Sequence, residues 1–94
     1  MQIPDAFYDF CLLLHQDSFD LYGREDQDLA AGPLRYMSKE QKIALRTFLD
    51  HLLTGNYSDE ELQEIYCRGD ADIGFRTGLR YFFRLVHDTI DRGT

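Results

Sequence analysis

The sequence predicts an all-α fold, a small single-domain bundle of about five helices, some of them short, spanning residues 1–94. Three observations carry this. Apolar residues recur at i, i+3 and i+4 spacing in several segments. Two Ser-x-x-Gln/Glu sequences, at Ser38 and Ser58, have the form of capping boxes that open helices. No run alternates apolar and polar residues for long enough to argue for a strand. At 94 residues the chain fits one core and leaves no room for a second.

Pro4 suits the first turn of a helix, and Phe7, Phe10, Cys11 and Leu14 follow on one face, which predicts a helix from about 4 to 15. Phe19, Leu21 and Tyr22 read as a short turn or helix that Gly23 ends. Asp26 to Tyr36 reads as a brief helix bent or terminated at Gly32-Pro33, because proline removes a backbone donor and clashes with the preceding turn. The strongest element starts at Ser38, with Ile43, Ala44, Leu45, Phe48, Leu49, Leu52 and Leu53 on its core stripe. Gly55 suits a left-handed residue after that helix. The second box predicts a helix over 59–67 with Leu62, Ile65 and Tyr66 inside. Residues 68–74 form a turn-rich loop that Phe75 anchors. Thr77 opens a last helix, with Leu79, Phe82, Phe83, Val86 and Ile90 facing the core and Arg76, Arg80, Arg84 and Asp88 facing solvent, and Gly93 closes it.

The net charge of -7 makes phosphate backbones repulsive and excludes nucleic acid as the expected partner. The acids are segregated. Residues 1–31 hold seven acids against Arg24, and residues 58–73 hold six against Arg68, whereas the two intervening and closing stretches are each slightly basic. Concentrated like charge steers an oppositely charged partner and raises its encounter rate; simple solubility is the alternative reading. No apolar run approaches the ~20 residues of a membrane span, and the opening Met-Gln-Ile-Pro-Asp lacks the basic and apolar regions of a secretory signal. A soluble cytoplasmic protein is expected.

Chemistry-bearing constellations are sparse. Asp70-x-Asp72-x-Gly74 has the start of a calcium loop, but the twelfth position, where a bidentate glutamate belongs, is Tyr81. His15, His51 and His87 lack the i, i+4 spacing of a helical metal site and read instead as donors to carbonyls at helix ends. His15 with Asp17 is the one pair with the makings of an oriented imidazole. Cys11 and Cys67 read as small core residues, and neither lies in an electropositive stretch that would activate a thiol. Phosphate loops and nucleophile elbows are missing. No catalytic residue, metal or cofactor is therefore expected. Among six tyrosines, Tyr22, Tyr57 and Tyr66 stand beside the acidic blocks and are candidate interface anchors, with core packing as the alternative for each.

The first-helix aromatics leading into Leu14-His15-Gln16-Asp17, then Phe19 and Tyr22-Gly23, Leu52-Leu53, Glu61-Leu62, Ile73-Gly74-Phe75 and Arg80-Tyr81-Phe82-Phe83 together resemble a family of small helical immunity proteins from bacterial contact-dependent growth inhibition systems. Ser18-Phe19 stands where that family commonly has an aspartate-tryptophan pair, and a phenylalanine replaces a tryptophan of its last helix. The resemblance implies a cytoplasmic antitoxin that neutralises the toxic C-terminal domain of an effector, often a basic nuclease, as a monomer in a heterodimer with it. Combined with the charge blocks, it makes Asp17, Asp20, Tyr22, Glu25, Asp26, Asp28, Tyr57, Asp59, Glu60, Glu61, Glu64, Tyr66, Asp70 and Asp72 the candidate toxin-binding residues. A small acidic adaptor or secretion chaperone holding a basic client segment is the alternative from a different class.

Overall fold

A computed structural model describes residues 2–14, 18–69 and 78–93, and among these every regular element is helical. The order is α1 (Asp5–Leu12), α2 (Ser18–Leu21), α3 (Asp26–Ala31), a 3-10 turn (Pro33–Tyr36), α4 (Lys39–Thr54), α5 (Asp59–Arg68) and α6 (Leu79–Asp91). The all-α bundle expected from the sequence is what the chain forms.

Both capping boxes are present. Ser38 Oγ accepts from the Gln41 backbone N–H at 3.1 Å while Gln41 Oε1 accepts from the Ser38 N–H at 2.7 Å, and Ser58 and Glu61 repeat the exchange at 3.1 and 2.9 Å. Each box satisfies two of the backbone donors that a helix start leaves open. Helix α6 lies at the centre, packed mainly on α4 and α3 and also on α5. Its buried side chains, Phe82, Phe83, Val86 and Ile90, meet an aromatic cluster built on α1. Phe7 stands edge-on to Phe48 at 5.2 Å and to Phe83 at 6.0 Å, and Phe10 tilts against Phe82 at 6.2 Å. Leu45, Leu49, Leu52 and Leu62 close the core around these rings.

Several local expectations are corrected. The first helix is Asp5–Leu12 rather than 4–15, because Leu13 ends it as the cap residue. The segment expected as one helix over Asp26–Tyr36 divides at Gly32-Pro33 into α3 and the 3-10 turn. Ile43 and Ala44 are exposed; Ile43 is on the side of α4 opposite the stripe formed by Leu45, Phe48, Leu49 and Leu52, as about 100° per residue requires. Gly55 is extended, at φ -80° and ψ 171°, rather than left-handed. Glycine's freedom is used instead at Gly23, Gly78 and Gly93, with φ of 120°, 88° and 87°. Cys67 is exposed on the outer face of α5, whereas Cys11 is buried in the core. The loop over 70–74, Phe75, Arg76 and Thr77 lie outside the described residues, as does His15 with Asp17.

Candidate functional site

The candidate residues separate into two acidic regions. The first is built by α2, α3 and the 3-10 turn. Tyr22 follows α2, and its hydroxyl donates to the Leu13 carbonyl at 3.4 Å, a long bond that ties α2 back to the end of α1. Its ring packs against Gly32 and stands 6.4 Å from the ring of Tyr36. Burial, and secondarily the nearby Tyr36 hydroxyl, pushes the Tyr22 phenol above its ordinary value. Around this half-buried pivot the surface is apolar and acidic at once. Leu21 and Tyr36 are 61% and 67% exposed, and the exposed carboxylates of Asp20 and Glu25 have no hydrogen-bond or ion-pair partner among the described residues. Asp26 and Asp28 are half-buried, and the Asp28 side chain lies against Gly23.

The second region is the start and outer face of α5. Helical periodicity puts Leu62, Ile65 and Tyr66 inward and leaves Glu60, Gln63, Glu64 and Cys67 outward. Most of its acids are already engaged. Asp59 accepts from Arg80 of α6 at 3.1 Å, Glu61 completes the capping box, and Glu64 pairs with Arg68 at 3.2 Å. Exposed pairs of this kind are worth about 0.2–1 kcal/mol, so they position rather than stabilise. Glu60 alone of the four acids in 59–64 has no partner among the described residues.

Tyr66 is removed from the candidate surface. It is 3% exposed and packs edge-on to Phe83 at 6.3 Å, so its ring is core, and no partner reaches it without unfolding α5. Tyr57 is half-buried and pinned: its hydroxyl shares a 2.9 Å hydrogen bond with His51 Nε2, and its carbonyl accepts from Arg80 at 2.7 Å. It holds the α4–α5 connection. Asp17, Asp70 and Asp72 lie outside the described residues.

The two regions do not merge. The Gln27 amide donates to Thr89 Oγ1 at 3.1 Å, which fixes α3 at the C-terminal half of α6, while the Asp59–Arg80 pair fixes the start of α5 at its first turn. Nine residues of helix separate these contacts, about 13 Å of axial rise. A partner touching both regions must span α6.

The histidines also differ from expectation, since neither described ring bonds a helix-end carbonyl. His51 pairs with Tyr57. His87, mostly buried, sits between two carboxylates, with Nδ1 3.1 Å from Asp88 and Nε2 3.4 Å from Asp50 of α4; the second contact has ion-pair distance but not the alignment of a hydrogen bond. It joins Arg46–Asp91, at 2.8 Å, in a polar seam between α4 and α6. Among the described residues no group of three or more His, Cys, Asp or Glu side chains is placed to hold a metal ion, and no helix is long and apolar enough to cross a membrane.

Sequence reasoning missed the exposure of Leu12, Leu21 and Tyr36. Helical spacing fixes which residues share a face but not whether another element covers it. Comparison with protein-family models, with curated proteins and with solved structures finds no match to this chain.

Proposed function

We propose that this chain is an immunity protein that binds and neutralises the toxic C-terminal domain of a contact-dependent growth inhibition effector, a basic protein and in the leading case a nuclease, in the bacterial cytoplasm. The observation that carries the reading is the surface around Tyr22, where unpartnered carboxylates of Asp20 and Glu25 border the exposed Leu21 and Tyr36. Apolar anchors ringed by charge of one sign suit a desolvated contact with a cationic surface: the field speeds encounter and the anchors slow release. Glu60 adds a second unpartnered charge at the far end of α6. Binding of this kind requires no bond-making by the chain.

The test is co-expression with the toxin domain encoded beside the chain. The wild-type chain is expected to restore growth, and the triple reversal Asp20→Lys, Glu25→Lys, Glu60→Lys to lose protection while keeping its helical content. Failure of the wild-type chain to protect overturns the immunity reading; full protection by the triple variant overturns the acidic surface as the contact.

A second reading, an adaptor or secretion chaperone for a basic client segment, is favoured by the exposed apolar side chains Leu12, Leu21, Ile43 and Tyr81. It predicts client capture with no effect on toxin survival.

A further inference from the structure

On the side of α6 where it meets α5, the protein carries a groove of about 570 Å³ bounded by the end of α4, the middle of α5 and the first turns of α6. That volume falls in the range of small-molecule sites, roughly 300–1,000 Å³. Leu62, fully buried, and the partly buried Leu53 and Leu79 supply apolar wall, and Tyr81, half exposed, stands at the rim.

The charge inside runs against that of the chain. Arg80 and Arg84 both line the groove, one turn apart on α6, with Asp59 as the acid among the lining residues. Asp59 is committed to Arg80, whose guanidinium also donates to the Tyr57 carbonyl at 2.7 Å. Arg84 has no partner among the described residues. Two arginines against one aspartate leave this groove at +1 on a chain of -7. A third observation has the same sign. The groove adjoins the N-terminus of α6, which has no acidic residue in its first turn and no side-chain cap, so the positive end of the helix dipole is uncompensated there.

We propose that this groove binds a small amphipathic carboxylate, one carboxylate on an aliphatic or aromatic body, with Arg84 taking the anion and Leu53, Leu62 and Leu79 taking the apolar end. Arginine's planar fork matches a carboxylate through two parallel hydrogen bonds. The single net charge selects one carboxylate over a polyanion, and the leucine wall selects against a bare inorganic ion. The site is separate from the acidic surface around Tyr22 and does not rest on the immunity reading.

The experiment is titration of the isotopically labelled full chain with 4-phenylbutyrate and, separately, with its uncharged amide, followed by amide chemical shifts. The acid is expected to give saturable shifts confined to residues 53, 62–63 and 79–84, and to bind about fivefold more tightly than the amide, as one partly solvated ion pair allows. Arg84→Gln is expected to bring the acid down to the amide's affinity with the shift pattern elsewhere unchanged; Arg84 is exposed, so the variant folds. Equal affinity of acid and amide, shifts scattered over the surface, no saturation, or full affinity in Arg84→Gln would each overturn the proposal.

Discussion

The ring of Tyr22 occupies the space that a β-carbon on Gly32 would need, with Cγ, Cδ1 and Cδ2 all well inside contact distance of that position. Gly32 has helical dihedrals, φ -54° and ψ -58°, so its backbone makes no demand for glycine. The demand comes wholly from the packed ring.

Gly32→Ala therefore inverts a familiar sign. At helical dihedrals this change ordinarily stabilises by about 0.4–1 kcal/mol through the unfolded chain. Here the added methyl meets the root of the Tyr22 ring, which cannot swing away as a flexible tip would, and a net loss of roughly 1–3 kcal/mol is expected from overpacking. Urea unfolding measures it. The double variant Gly32→Ala, Tyr22→Ala should recover part of the loss, because the clash then has no second partner.

Stability should fall in alkali because of Cys11. Burial pushes its thiol from the ordinary 9.0 up to about 12. Between those values the unfolded chain releases the proton and the folded chain keeps it. The unfolded state then binds fewer protons, and stability declines as pH rises above about 9. At pH 10 the contribution lost is about 1.4 kcal/mol. Cys11→Ala, which has no thiol to titrate at this position, should lose less stability than wild type between pH 8 and pH 10, by about that difference.

The two capping boxes invite a paired comparison. Ser38→Ala and Ser58→Ala each remove one side-chain acceptor, and each should cost about 1 kcal/mol. Because α4 runs 16 residues and α5 only 10, amide exchange in the first turn should rise more sharply for Ser58→Ala. Substitution of each serine by Asp should restore most of the loss, since aspartate caps as well as serine.

Phe7 is the side chain on which the aromatic core converges, touching rings from α4 and α6. Phe7→Ala is expected to destabilise by about 3–5 kcal/mol. For a domain of ordinary marginal stability, about 5–15 kcal/mol, that takes much of the cooperative transition, readable as a broadened thermal melt by near-ultraviolet circular dichroism. Phe7→Leu should retain a sharp transition with a smaller loss.

The helical class was legible because its signals are local. The Ser38 and Ser58 boxes marked two helix starts to the residue, and Gly32-Pro33 marked a real break. What was not legible depends on residues far apart in the chain. Gly55 takes an extended conformation with the Tyr57 ring against it; a β-carbon there would stand 2.7 Å from Tyr57 Cε2. Tyr66 has the same composition signal as an interface tyrosine and became core because Phe83 stands beside it. Glu61 and Asp59 counted as free acids in the sequence, yet one is spent on its own helix cap and the other on Arg80, 21 positions away. The groove with Arg84 needs three helices to exist, and no stretch of sequence carries its outline.

The contrast between the two cysteines has a practical result. Cys11 is enclosed and holds its proton, while Cys67 stands on the open face of α5, one turn from Glu64 and two from Glu60. A maleimide dye added near neutral pH thus attaches at one defined place without mutagenesis. The native chain is supplied with its own reporter, seated where an arriving partner at α5 would change its fluorescence and where one confined to the Tyr22 surface would leave it unchanged.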